Sequence, residues 1–312
     1  MSSWTSLPQK IPRVGYYQER PQGTFVKKDK PATVVMAYYD FSKSKYTQQE
    51  YHSWIRLFLT SVPCWIVFFC EAEFAPFVEE CRREFEDRTR IVVLSQQEWQ
   101  ANQRFSQEFW KKQHAADPEK EKHTPDLYKV WWEKKEFVKR AIALDPFGHT
   151  DYVYTDAGIC RYPGLAKLLR DYPQADRIPT NRMLLMNVSP FTWRDEFLDP
   201  KGSSGSARIG GGVLAGSIEV WKRYDSLYDN IFQEYVDKGL FVGKDQTLMA
   251  TLVLENKDFV SLLDAKPIVW IPWFYLVAWL GAPASLWQKF QDPREAGLRR
   301  SLDDLVRLAG LQ

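Results

Sequence analysis

Short apolar runs alternate with longer amphipathic stretches over most of the chain. The run ATVVMAYYD is rich in β-branched and aromatic residues and reads as a strand. After the polar FSKSK, the stretch TQQEYHSWIRLFLTS carries its apolar residues at helical spacing. CWIVFFCE, FAPFVEECRREFED and RTRIVVLS continue the rhythm as strand, helix and strand. Strands that alternate with helices predict an α/β domain built on a parallel sheet.

From Gln96 to Pro125 the chain is polar and shows no clear apolar stripe, so an irregular helical excursion is expected there. PDLYKVWWEKKEFVKRAIALD then predicts a helix with Pro125 in its first turn, burying Leu127, Val130, Trp131, Phe137, Val138 and Ile142. It feeds into DYVYTDAG, which places Asp156 at the C-terminal end of a strand, the edge at which open α/β sheets bind ligands. RMLLMNVS reads as a further strand, and DPKGSSGSARIGGG as a flexible loop leading through a tight turn into the helix SIEVWKRYDSLYDNIFQEYVDKG. Ile218, Trp221, Leu227, Ile231 and Tyr235 recur on that helix, and Gly239 ends it. KDQTLMATLVLENKD starts another helix with Asp245 in its first turn. The chain divides into an extended arm over residues 1–32, an α/β domain over 33–264, and an apolar, Trp-rich segment with a terminal helix over 265–312.

Within that last part, Pro267 to Gln288 carries no formal charge, which raises the question of a membrane. Prolines and a glycine interrupt it, so a buried or partner-covered segment is expected first, peripheral membrane contact second, and a spanning helix last. MSSWTSLPQKIPRVGYYQERPQG lacks the apolar core of a signal peptide, which predicts a cytoplasmic location, membrane-associated if the second reading of the segment holds. With 42 basic and 40 acidic residues among 312, nothing on charge grounds suggests a nucleic-acid partner. Cys64, Cys70, Cys81 and Cys160 show no metal-binding spacing and read as buried thiols.

Three places carry candidate chemistry. Asp156 at its strand end can hold a divalent cation that bridges a diphosphate, or can simply cap a turn. Gly210-x-Gly212-x-x-Ala215 comes near a dinucleotide fingerprint but follows a Gly/Ser loop rather than the first strand of a βαβ unit, which argues against a nicotinamide enzyme. Asp245 and Gln246 open a helix, where an acid either caps or grips a ligand hydroxyl.

Taken in order, TVVMAYYDF, LYKVWWEKKEFVKRAI, YVYTDAGICR, RIGGGVLAGSIEVW and VGKDQTLMATL resemble the HtrL/YibB-like family, whose members look like glycosyltransferases of the GT-A fold. The resemblance spans about Thr33 to Asn256. It implies a GT-A-like, Rossmann-type, mostly parallel central sheet flanked by helices, and a glycosyltransferase that moves a sugar from a UDP- or GDP-sugar donor to a glycan or other hydroxyl acceptor. The alternative is a catalytically inactive GT-A-like binding or assembly protein.

By the same resemblance Tyr38, Tyr39 and Asp40 receive the nucleotide. Asp156 carries the cation, Mn²⁺ or Mg²⁺, although the second acid of the DxD position is here Gly158. Lys134 and Arg161 would neutralise the diphosphate, Gly211 and Gly212 would line the donor sugar, and Asp245 with Gln246 would contact its hydroxyls. If the enzyme inverts, Asp245 is the first choice for a catalytic base and Glu219 the second; if it retains, no such base is needed and Asp245 orients.

Overall fold

The computed structural model describes residues 21–41, 45–191, 207–264 and 272–289, together with 304, 306–307 and 310. Among them, β1 (Thr33–Tyr38), β2 (Trp65–Cys70), β3 (Thr89–Val93), β4 (Asp151–Thr155), β5 (Met183–Asn187), β6 (Ile209–Ser217) and β7 (Val260–Asp264) form one sheet in the order β3-β2-β1-β4-β6-β5-β7. Every pairing is parallel except those of β6, which runs antiparallel to both β4 and β5. The helices are α1 (Gln48–Ser61), α2 (Ala75–Cys81), α3 (Gln100–Arg104), α4 (Gln107–Ala116), α5 (Pro125–Leu144), α6 (Pro163–Leu168), α7 (Ile218–Asp237), α8 (Asp245–Glu255), α9 (Tyr275–Gly281) and α10 (Ala284–Lys289). α1, α2, α6 and α9 bury apolar side chains against one face of the sheet, and α3, α4, α5, α7 and α8 against the other. The mixed α/β class and the mostly parallel sheet expected from the sequence are present.

Local chemistry explains several boundaries. Thr47 and Glu50 close a capping box at the start of α1. Thr124 caps α5 by accepting from the Leu127 N–H, with Pro125 in the first turn. Ser217 does the same for α7, and Gly239, at φ +67°, follows it in the left-handed conformation that ends helices. The expected helix over Phe74–Asp87 is shorter: α2 stops at Cys81 and is followed by a 3₁₀ stretch, Arg83–Arg88, kinked at Phe85.

Two larger departures bear on function. Of the glycine-rich stretch expected as a loop and a tight turn, residues 199–206 lie outside the described ones, and Ile209–Ser217 form β6, a central strand. Glycine is disfavoured in strands, but neighbours here crowd the backbone: a Cβ on Gly216 would come within 2.7 Å of Val220 Cγ1. The second departure is α5, which buries Lys129, Glu133, Lys134, Lys135 and Glu136, while Leu127, Val130, Trp131 and Ile142 are only half-buried. Strands lie on one side of this helix and α3, α4, α7 and α8 on the others. From Trp132 to Val138 every residue is buried, and the charges there must find partners.

Of the apolar C-terminal segment, Tyr275–Ala278 are buried in the core and α9 packs on α6 and β5. Residues 265–271 lie outside the described ones. Among the described residues no helix is long and apolar enough to cross a membrane. The described part of the N-terminal arm is pinned at the edge of the sheet where β4 begins: Lys28 Nζ lies 2.6 Å from Asp151 Oδ1 and also donates to the Ile178 carbonyl. All four cysteines are buried free thiols.

Candidate active site

The C-terminal ends of β1 and β4 and the start of the antiparallel β6 meet at one edge of the sheet. Asp156 leaves β4 there, with its backbone N–H bonded to the Gly212 carbonyl at 2.8 Å. The turn after it closes through the Ile159 N–H to the Asp156 carbonyl. Between Leu184 and Met186 the pairing of β5 with β6 changes register, and such a bulge re-aims the strand. By the ordinary alternation of a strand, Gly211 faces α5 and α8, and Gly212 faces the Asp156 carboxylate, with a Cβ-to-Oδ2 separation of 3.3 Å if a Cβ were present.

Lys134 reaches this edge from the middle of α5. Its Nζ donates to the Gly211 carbonyl at 2.8 Å and to Asp245 Oδ2 at 2.9 Å, and lies 3.5 Å from Asp156 Oδ1. The Tyr154 ring lies alongside, its centroid 5.4 Å from the ammonium. Lys134 and Asp245 are buried, whereas the Asp156 side chain is 43% exposed and is the member of the cluster open to a ligand. Asp245 sits at the first position of α8, where the helix dipole and the Gln246 N–H favour its charge.

Burial works against the Lys134 charge, but Asp156 and Asp245 outweigh it and hold the ammonium above the usual lysine value. Burial likewise pushes the Asp245 carboxyl upward, with Lys134 opposing the shift. One ammonium faces two carboxylates, so the cluster keeps a negative charge in excess. Behind Asp245 a cavity of about 10 Å³, room for one water molecule, is lined by Trp132, Lys134, Tyr224, Tyr228 and Met249. Apolar and aromatic walls of this kind keep the local dielectric low and magnify the pair's interaction.

The other residues singled out from sequence are distributed around this edge. Gln246 follows Asp245 and is half-buried. Tyr38 ends β1 and packs its ring on Tyr51, His52 and Phe74, and burial pushes its hydroxyl up to about 12. Tyr39 points to the other face, edge-on to Trp99, and donates its hydroxyl to the Leu94 carbonyl. Asp40 is exposed and accepts from Gln48 Nε2 at 2.6 Å. Arg161 is engaged with its own neighbours: its guanidinium stacks on Tyr46 and Trp54, 4.6 and 4.4 Å from the ring centroids, and its Nε donates to the Gly158 carbonyl. Gly158 itself is tight against α1, since a Cβ there would lie 3.0 Å from the Tyr51 ring. Glu219 is exposed, pairs with Lys222, and sits beyond the far end of β6, at the opposite edge of the sheet.

Among the described residues no group of three or more His, Cys, Asp or Glu side chains is placed to hold a metal ion. The gap between Asp156 and Asp245 is already filled by the Lys134 ammonium, which argues against a cation bridged by both acids. The outer face of Asp156 is different. It offers one accessible carboxylate in a cluster with one negative charge in excess, and Mg²⁺-type ions are commonly held by one or two carboxylates together with substrate phosphates and water. Among the described residues a cation at this face would rest on Asp156 alone, with its remaining ligands coming from phosphate and water.

Sequence reasoning missed the tie between Lys134 and the Gly211 carbonyl, the Tyr154 ring beside the ammonium, and the contacts that fix the approach to Asp245. Lys244 Nζ pairs with Glu119 Oε2 at 2.8 Å and the Val242 N–H donates to Gln113 Oε1 at 2.8 Å. The partners come from the polar excursion before α5, and no local pattern marks them.

No family model matches the chain, and no curated protein does. Among solved structures, the apo crystal structure of mouse xyloside xylosyltransferase 1 is similar to it, at 12% sequence identity and a TM-score of 0.44, over 87% of this chain and 95% of that one.

Proposed function

We propose that this chain transfers a glycosyl group from a nucleotide-sugar donor to a hydroxyl acceptor at the sheet edge around Asp156. The observation that carries the reading is the Lys134–Asp245–Asp156 cluster. Two acids and a buried lysine converge on the glycine backbone of β6, which lets their side chains close in, and Asp156 stays accessible. Its charge is fixed in advance by rigid elements, as sites that stabilise developing charge require.

In the transfer, the acceptor oxygen forms a bond to the anomeric carbon and its proton passes to a carboxylate. The bond from that carbon to the phosphate oxygen breaks, and its electron pair leaves on the nucleoside diphosphate. Asp156 faces the diphosphate and would hold the divalent cation, which when bound neutralises the leaving group. Asp245, kept in place by Lys134, orients the donor sugar or takes the acceptor proton; burial raises its carboxyl and so makes it a better base. Gly211 and Gly212 let Lys134, Asp245 and Asp156 close in on the β6 backbone beside the donor.

Nucleoside diphosphate release from a panel of UDP- and GDP-sugars tests the reading, with water as default acceptor. Release by the wild-type protein that is lost in folded Asp156→Asn and Asp245→Asn variants supports it. Equal release by all three proteins refutes it. One observation favours a second reading, a binding protein without catalysis: Asp245 is 5% exposed and its Oδ2 is already engaged by Lys134. That reading expects nucleotide binding with no release.

A further inference from the structure

The stretch between α3 and α5 packs Phe105, Phe109 and Trp110 on Phe232 of α7, and its polar residues reach the chain that leads into Asp245. Gln113 on α4 accepts the Val242 N–H at 2.8 Å. Tyr128 packs edge-on to Phe241 with ring centroids 5.6 Å apart. Between them Gly243 is enclosed, since a Cβ there would fall 2.5 Å from the Phe241 ring and 2.9 Å from that of Tyr128. Lys244, the residue before Asp245, has its ammonium on Glu119 at 2.8 Å.

Glu119 is itself held from behind. Asp117, buried, accepts the Glu119 N–H at 2.7 Å, the Tyr128 hydroxyl at 2.6 Å, and lies 2.7 Å from His123 Nδ1. His114 Nε2 in turn meets the Lys120 and His123 carbonyls at 3.1 and 3.2 Å. A turn this thoroughly bonded presents its carboxylate in one position. Lys244 occupies the N-cap of α8 and its side chain makes no capping bond, so the ion pair with Glu119 takes the place of a cap in fixing how the helix begins.

We propose that Glu119 is a positioning residue for Asp245, acting through Lys244: the 117–124 turn sets the first turn of α8 and thereby the carboxylate that meets Lys134. The inference rests on the glycosyltransferase reading for its catalytic consequence but not for its structural one. A carboxylate displaced by a fraction of an ångström loses alignment with its substrate, and misplacements of about 1 Å cost on the order of a hundredfold in rate. The pair is half-open to solvent, so its removal loosens α8 locally rather than unfolding the domain.

The test uses the full chain as wild type, Glu119→Gln, Glu119→Asp, Lys244→Met and the Glu119→Gln/Lys244→Met double variant, with donor hydrolysis and amide hydrogen exchange read in parallel. The expected result for Glu119→Gln is kcat roughly ten- to a hundredfold lower with donor KM little changed, and exchange about tenfold faster over residues 242–248 while α7 keeps its protection. Glu119→Asp restores part of kcat, and the double variant is no worse than either single one. Unchanged exchange over 242–248 in Glu119→Gln overturns the proposal, as does faster exchange spread evenly over α7 and α8. If the wild-type protein turns over no donor, that result counts against the glycosyltransferase reading alone, and the exchange data still decide the role of Glu119.

Discussion

Lys134 and Asp245 lie 111 residues apart in sequence and meet at 2.9 Å, both buried, with the Gly211 carbonyl as the ammonium's other close partner. The contact joins the central helix α5 to the first residue of α8 across β6. Its arrangement makes sense of three sequence features at once: a lysine in the middle of an aromatic helix, a glycine inside a strand, and an acid opening a helix.

Removing one partner of this pair strands the other. Lys134→Met leaves the Asp245 carboxylate buried without its counter-charge and is expected to cost about 3–5 kcal/mol. The Lys134→Met/Asp245→Leu double variant recovers most of that loss, because two apolar groups leave no charge to strand. Urea unfolding of the four proteins checks it, and a Lys134→Met variant as stable as wild type would contradict the burial of the pair.

The glycines of β6 make a contrast that needs no partner protein. A Cβ on Gly211 would sit 2.9 Å from Asp245 Oδ2 and 3.3 Å from Lys134 Nζ, so Gly211→Ala must displace the pair and is expected to abolish donor turnover. Gly210→Ala meets only the Met186 Cε tip at 2.8 Å and the Val188 Cγ1 at 3.2 Å. A methionine terminus moves easily, so this variant should keep most of the turnover. Comparable losses in both would show that the strand, rather than the Lys134 cluster, is being disturbed.

Glu133, next to Lys134 on α5, gives the fold a dependence on pH. Its buried carboxylate accepts the Gln100 and Ala101 N–H groups at 3.0 and 2.9 Å and so caps α3. Burial nevertheless lifts its carboxyl from 4.5 to about 7. Between those values the folded chain holds a proton that the unfolded chain has released. Raising the pH through the window therefore weakens the fold, by up to roughly 3 kcal/mol. Glu133→Gln is expected to be less stable at low pH, having lost one acceptor, but to lack this slope. Parallel stability curves for the two proteins from pH 4.5 to 7 would refute the assignment.

Much of the sheet could be read from the sequence, because β1, β2 and β4 are apolar runs whose period and composition are local properties. The strand end that delivers Asp156 and the helix start that delivers Asp245 were legible for the same reason. β6 was not, because its glycines are explained only by what presses on them: Val220 from α7, and the charged pair from α5 and α8. The buried charges of α5 escaped as well, since a helix buried at every residue from Trp132 to Val138 shows no stripe there. Arg161 reads from sequence as a diphosphate ligand, but Tyr46 and Trp54, brought up by α1, hold its guanidinium in a stack of their own. Glu219 failed as a base for a topological reason: β6 runs antiparallel, so a residue just past its end emerges at the wrong edge.

The most direct test is calorimetric titration of wild type and Asp156→Asn with UDP and GDP, each with and without Mn²⁺. The account predicts that one nucleotide binds the wild-type protein, that Mn²⁺ tightens the binding, and that Asp156→Asn removes the Mn²⁺ effect while the protein stays folded. Binding of neither nucleotide under any of these conditions, or binding that Asp156→Asn leaves untouched, would contradict a donor site at this edge.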